Sequence, residues 1–371
     1  MLSIQEKFLL IQTCMKIRPA NLADNQSLLV LARKSPMESH LVINVDRAPD
    51  YFLLANLQGD DARVFVAEQD GVIVGAIGCC LREVLLAGQP TRIGYIGGIK
   101  VAAAARKGLT SFRLMNAVAN YLRAVPVEMA IVITMTDNEA MAPILAGRVG
   151  MPPFHPINRL VINYIFPLFR PQVTGGYQIR SFREGDLDHL ARLFTDFFRN
   201  YSLTFEWTPK RLSALLNQPN FSSENILIAT KDDRPVAALT WWDQASFKRT
   251  IIEQYGGGLK TLSGILKPLK IFPQAGEPLI ELQIRHIVYE KEHTSAARDL
   301  IRYLINEKKR KYRLFRIGFQ QNSPLAALLS GLPHLKIHLN CYIASDKKDD
   351  ETRLLISALR QGQIWEDLSL H

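Results

Sequence analysis

A chain of 371 residues is long for one domain and sufficient for two. Apolar residues make up 47% and charged residues 22%, which suits a globular protein with real cores, and no apolar run is long enough to span a bilayer. The net charge of +10 favours an anionic partner, yet the basic residues are dispersed. The one dense run, Lys308-Lys309-Arg310-Lys311, sits near the end of a predicted helix, where water solvates it, so nucleic acid is not the expected partner.

The opening segment, Met1 to Lys16, is mildly apolar. Glu6 and Lys7 interrupt it and it lacks a small-residue cleavage site, so it does not read as a signal peptide. A short strand at Ile17 leads into amphipathic helices. A hairpin follows: Arg63 to Glu68, a turn at Asp70-Gly71, then Val72 to Leu86. The next strand, Arg92 to Val101, contains Gly97-Gly98, a pair that marks a bulge or close backbone approach. It runs into a basic turn (Arg106, Lys107, Gly108), and a helix opens at Thr110 or Ser111 with Leu114, Met115, Val118 and Leu122 at helical spacing. Strand, glycine turn and helix N-terminus aim backbone N–H groups and a helix dipole at one spot, a geometry that binds phosphate. A buried-type strand, Ala130 to Thr136, precedes a short helix after Asn138. A last strand spans Arg159 to Phe166.

The pattern then recurs. Residues 16–24 resemble 178–186, and the hairpin signal at Asp70-Gly71 faces Asp232-Asp233, both at an offset of 162. The segment ending in Asn138 resembles the one ending in Asn322 at an offset of 184, so the second copy carries 22 more residues. Its helices (Leu187 to Phe198; Ala297, Leu300, Ile301, Leu304) and strands (Ile280 to Tyr289, Leu314 to Phe319, Leu335 to Ser345) follow in the same order. Hairpins first and one helical crossover later imply an α/β fold: a mixed sheet with helices on both faces. The expected organisation is two tandem domains, 1–170 and 171–346, the second with an insertion near 246–278, followed by a helical tail, 347–371. The insertion reads as a lid with a glycine hinge, a basic amphipathic patch or a surface helix. The tail has apolar spacing at Leu354, Leu355, Ala358 and Leu359 and is expected to dock on a domain or across a homodimer. Cys14, Cys79, Cys80 and Cys341 have no metal-ligand spacing, and the adjacent pair points to opposite faces of a strand. Reduced thiols in a cytoplasm, with no metal, are the reading.

This order, with a basic glycine turn between the fourth strand and the third helix, resembles the GNAT acyltransferase superfamily over both halves. The resemblance implies two tandem acyl-coenzyme A N-acyltransferase domains, with acetyl-coenzyme A as co-substrate. In that family the strand backbone pairs with pantetheine, here at Ile99, Lys100 and Val101. The turn Arg/Gln-x-x-Gly-x-Gly/Ala cradles the pyrophosphate, here Arg106, Lys107, Gly108, Leu109, Thr110 and Ser111. Val101 matches the terminal valine, Gly108 the central glycine and Thr110 the small residue, while Arg106 stands two residues before Gly108 instead of three. Asn138 matches the family's asparagine, but Leu145 stands where many members place the tyrosine that protonates the thiolate. The second copy departs further. Its turn, residues 290–297, has no glycine and carries Glu290 and Glu292, with Thr294 or Ser295 left to cap the helix. It reads as degenerate for coenzyme binding.

Without the usual tyrosine, Tyr95 on the fourth strand is the candidate acid and Glu83 on the third strand the candidate base, each with an ordinary structural reading beside it. In the second copy Glu281, Gln283 and Arg285 share one strand face with His286 opposite, which suggests a wet cavity. The resulting expectation is transfer of an acyl group, most often acetyl, to an amine of a small molecule or peptide. Alternatives are a peptidoglycan-type aminoacyltransferase using transfer RNA, and a non-catalytic coenzyme A sensor.

Overall fold

The computed structural model describes residues 15–371 apart from 38–40, 107, 139–140, 148–151, 257–260, 262–263, 265–272 and 348. The first half carries β1 (Lys16–Pro19), α1 (Asn25–Arg33), β2 (Leu41–Asp46), α2 (Tyr51–Gln58), β3 (Asp60–Gln69), β4 (Val72–Leu86), β5 (Gln89–Val101), α3 (Thr110–Arg123), β6 (Ala130–Met135), α4 (Ala142–Leu145) and β7 (His155–Ile165). The second carries β8 (Gln178–Ser181), α5 (Leu187–Phe198), β9 (Tyr201–Ser202), α6 (Pro209–Leu215), β10 (Ile226–Lys231), β11 (Arg234–Trp242), β12 (Arg249–Tyr255), β13 (Glu281–Tyr289), α7 (Thr294–Lys308), β14 (Leu314–Gln320) and β15 (His334–Ala344). The chain closes with α8 (Asp350–Gln361) and β16 (Gln363–Ile364).

Local chemistry explains most of these elements, and it does so twice. Asp70 and Gly71 take φ of 51° and 76° between β3 and β4, the positive pair that a two-residue hairpin turn requires. Asp232 and Asp233 take 48° and 59° between β10 and β11. Arg18 reaches Asp24 at 2.7 Å, and 162 residues later Arg180 reaches Asp186 at the same distance. Along β3, Val64 and Val66 face α1 while Phe65 and Ala67 face α3, so helices cover both sides of the sheet. On α3, Leu114, Met115, Val118 and Leu122 are buried, each contributing about 1.5–3 kcal/mol of apolar burial.

Twelve of the described strands form one mixed sheet, in the order β1-β3-β4-β5-β6-β15-β7-β14-β13-β11-β10-β8. From either edge the sequence is the same: three antiparallel pairings, a parallel pair (β5–β6 or β13–β14), then an antiparallel partner. The last strand of each half lies beside the other half. β15 pairs with β6, β7 pairs with β14, and β15 and β7 pair with each other at the centre.

Two further links join the halves. β2 and β12, neither foreseen as a strand, pair antiparallel in a small second sheet, so the described start of the insertion is a bridge to the first half. The glycine-rich and basic stretch expected to act as a lid or patch lies largely outside the described residues. The tail docks on its own chain. On α8 Thr352, Ile356 and Leu359 are buried and Leu355 packs half-buried on the core, whereas Leu354 is 71% exposed and Ala358 is exposed, so the expected face is met at Leu355 and Leu359 but not at Leu354 and Ala358. Residues 362–371 then run between the two halves. Adjacent Glu366 and Asp367 form buried ion pairs with Arg82 on β4 and Arg285 on β13. Gly318 permits this path, since a Cβ there would lie 2.5 Å from Leu368.

Candidate active site

The site begins where a parallel strand pair stops. β5 and β6 pair only from Gly94–Ala130 to Ile96–Val132. Beyond Ile96 the β5–β4 register shifts at a bulge, Gly98 takes φ of 65°, and the strands part. The expected bulge at Gly97-Gly98 is therefore present, and it opens a cavity. Gly97, Gly98 and Ile99 line one wall, Val132 to Met135 and Asn138 the other, and β7 and β15 contribute Ile162, Tyr164, Ile337 and Leu339. The strand edge at Ile99 lies beyond the last β5–β6 pair, so its backbone faces the cavity without a β6 partner.

Tyr95 forms the floor. It is 4% exposed, and a Cβ on Gly97 would lie 2.6 Å from its hydroxyl, so only glycine allows the ring to lie across the opening strand. The Arg82 guanidinium packs 4.1 Å from the ring centre. Its hydroxyl is 3.0 Å from His371 Nδ1, and His371 Nε2 is 2.8 Å from Glu366 Oε1, which Arg82 holds at 2.7 Å. Burial opposes ionisation of Glu366, but Arg82 and His371 outweigh it and hold the carboxyl below its usual range. Burial raises Tyr95 and lowers His371, the latter against its Glu366 bond, so the phenol stays protonated and the imidazole neutral. With Glu366 an anion that only accepts, Nε2–H donates to it and Nδ1 accepts from Tyr95. Tyrosine, histidine and glutamate thus form a directed chain ending in the cavity. Arg82, His371 and Glu366 carried no sequence signal, because their meeting depends on where the tail goes.

In the turn after β5, Arg106, Gly108 and Leu109 are exposed, and α3 begins with no side-chain cap. Its first N–H groups are available to a ligand. Among the described residues, a Cβ on Gly108 would find only Ala105 O, at 3.7 Å. Thr110 is buried, its hydroxyl directed at Met15 Sδ, and Ser111 is half-buried beside it. Lys107 lies outside the described residues. The Lys100 ammonium donates to Ser35 O at 2.7 Å, and Val101 O accepts from Ser35 Oγ and Arg106 Nε. Asn138 lines the cavity and donates to Thr134 Oγ1 at 3.1 Å. Leu145 packs in the core beside α3. Glu83 is exposed opposite Arg92 and does not line the cavity, because alternation along β4 turns Arg82, not Glu83, toward Tyr95.

The second half has the same strand geometry with different contents. β13 and β14 pair only as far as Ile284–Ile317, but the next residues are Arg285 and His286 where β5 has its glycines. The expected wet cavity is filled: Arg285 binds Asp367 and Gln218, and the tail packs at Leu368 on Gly318. His286 is a structural histidine. Burial lowers it to about 3, it meets Thr240 Oγ1 at 2.9 Å, and it packs on Trp207 and Trp365. Neither Thr294 nor Ser295 caps α7; Ser295 binds the Tyr177 hydroxyl at 2.9 Å, which also meets His293. Tyr177 thus covers the turn, while Glu290 is ion-paired with Arg234.

Residues 44–136 match the acetyltransferase (GNAT) domain model. No curated protein matches the chain. Among solved structures, Saccharomyces cerevisiae N-myristoyltransferase with bound myristoyl-CoA is similar at a TM-score of 0.61 and 12% identity, over 89% of this chain and 82% of that one. A GCN5-related N-acetyltransferase from Sphaerobacter thermophilus gives 0.59 and 12%, over 89% and 95%. A conserved protein of unknown function from Enterococcus faecalis V583, a probable N-acyltransferase, gives 0.52 and 9%, over 89% and 72%. The chain has a GNAT-type acyltransferase fold, and domain match and fold are consistent with coenzyme A-dependent acyl transfer. Among the described residues no His/Cys/Asp/Glu group is placed to hold a metal, and no helix is long and apolar enough to cross a membrane.

Proposed function

We propose that this chain transfers an acyl group, acetyl in the simplest case, from coenzyme A to an amine, using the cavity of the first half. The parting of β5 from β6 directly above Tyr95 carries this reading. Pantetheine would lie along Gly98 to Val101, the pyrophosphate at the amides from Leu109 to Ser111, and the thioester carbonyl at the strand amides near Ile99, which would polarise it. The amine nitrogen bonds to the carbonyl carbon and the carbon–sulfur bond breaks. The amine proton passes to Tyr95, whose own proton moves to His371, stabilised by Glu366. The thiolate then takes a proton back through Tyr95 or from water, leaving an amide and free coenzyme A. Tyr95 would thus serve base and acid alike, so neither Glu83 nor a tyrosine at position 145 is needed.

We also infer that the two halves are copies of one unit, residues 1–170 and 171–346, followed by the tail 347–371. The matching ion pairs, hairpin turns and strand order support this. The covered turn and the Arg285-His286 pair support a second copy that does not bind coenzyme A. Free thiols at Cys79, Cys80 and Cys341 support a cytoplasmic setting. The test is thiol release from acetyl-coenzyme A by the full chain across an amine panel, with Tyr95→Phe beside it. Turnover that falls about 10²–10⁴-fold in the variant, with acetyl-coenzyme A affinity kept, fits the mechanism. Tight coenzyme binding with no product from any amine would instead indicate a sensor.

A further inference from the structure

The charged side chains of the cavity wall have one sign. The ionisable side chains lining it, among the described residues, are Arg47, Lys100, Arg316, Tyr95, Tyr164 and His371, with no side-chain carboxylate. Arg316 is 4% exposed. One Nη donates to Leu368 O at 3.0 Å and His371 O at 3.2 Å, while its Nε–H has no partner. A buried guanidinium with an unmet donor is costly, and this one belongs to a residue that lines the cavity. Arg47 approaches from the other side, its guanidinium against Gly98 and 4.8 Å over the Tyr51 ring. Behind the wall, the Lys248 ammonium is buried on main-chain oxygens of Ser369 and His371. Glu281, which accepts from the Thr250 hydroxyl, also lies outside the lining.

These cations do not lie on the face that would take the coenzyme phosphates. The α3 face of β5 is built from Ile96 and Val101, whereas Tyr95 packs into a different core and Lys100 reaches Ser35, at the end of α1. Gly98, with its positive φ, presents to Arg47. If the acyl-transfer reading above holds, this is the side from which an acceptor meets the thioester.

We propose that the acceptor is an amine bearing an anionic group, a carboxylate or phosphate, bound by Arg316 and Arg47. A planar guanidinium suits either anion. The same field helps the chemistry, because neighbouring cations disfavour a protonated amine and so supply the neutral nucleophile. Lys100 shows that bias on a resident amine: burial, then Arg47 and Arg106, lower it to about 8.

The experiment uses the full chain with acetyl-coenzyme A and matched amines: phenylalanine against phenylalaninamide, leucine against leucinamide, phosphoethanolamine against ethanolamine. At least a tenfold higher kcat/KM for the anionic member of one pair is expected, with the preference lost in Arg47→Gln and Arg316→Gln. The amino acid and phosphoethanolamine arms separate carboxylate from phosphate. Thermal stabilisation by N-acetylphenylalanine, but not by its amide, reads binding without turnover, and Arg47→Gln serves if Arg316→Gln fails to fold. Equal rates within every pair overturn the proposal while leaving acyl transfer intact. A preference for succinyl- over acetyl-coenzyme A, with none among amines, overturns it by assigning the anion to the acyl group. No turnover with any amine, but stabilisation by the anionic analogue alone, overturns acyl transfer and keeps the anion site; neither signal overturns both.

Discussion

Gly108→Asp separates ligand binding from folding because its two effects have opposite signs. The residue is exposed, its φ is not in the left-handed region, and among the described residues a Cβ would meet only Ala105 O at 3.7 Å. The fold therefore accepts the side chain. A carboxylate just before the uncapped start of α3 complements the helix dipole, a gain of about 0.3–1 kcal/mol. A bound pyrophosphate would meet that carboxylate as like charge. At about 4 Å, one pair of unit charges repels by about 1 kcal/mol in water and about 4 kcal/mol at the effective dielectric of a protein surface. Acetyl-coenzyme A affinity should fall at least about tenfold, equivalent to 1.4 kcal/mol, while the melting temperature holds or rises. Calorimetry and thermal melts on the same preparation measure both. Unchanged affinity in a variant of undiminished Tm would refute pyrophosphate binding at this turn.

Other perturbations test separate parts of the structure. Titration of the full chain should give one coenzyme A per chain, and two equivalent sites would show the second half to be competent; cutting near residue 171 cannot answer this, since it parts β7 from β14. Glu366→Gln leaves Arg82 buried beside a neutral group and should cost about 3–5 kcal/mol, read from urea midpoints. Glu366, Asp367, Asp24 and Asp186 are all held below their usual range, so the unfolded chain takes up protons first on acidification. Stability should be fully present above about pH 5 and fall as pH drops through the folded values; a flat acid limb would contradict these pairings. Lys100, lowered to about 8, works at the alkaline end: the unfolded chain holds its proton longer, so this group adds stability as pH rises from about 8 to about 10.5. The wild-type minus Lys100→Met stability difference should rise by about 3 kcal/mol over that range, and a constant difference would count against the assignment.

Signals confined to neighbouring residues were legible in the sequence. The turns at Asp70-Gly71 and Asp232-Asp233, the apolar face of α3, the bulge at Gly97-Gly98 and the opposite facing of Cys79 and Cys80 all follow from backbone conformation and side-chain periodicity over a few residues. Comparison of such signals along the chain was enough to suggest a repeat at an offset of 162, which the matching ion pairs and hairpin turns support. Tertiary structure alone decided which strands lie side by side at the centre. The pattern of β15 is satisfied by any buried sheet position, and only packing of the whole chain seats it between β6 and β7. It also decided the course of the tail. Glu366 and Asp367 look like solvated surface residues until Arg82 and Arg285, far away in sequence, supply the charges that let them be buried. His371 consequently meets Tyr95 across 276 residues. Side-chain chemistry determines what such groups do once together, but long-range pairing, whose energy appears only when the chain has closed on itself, brings them together.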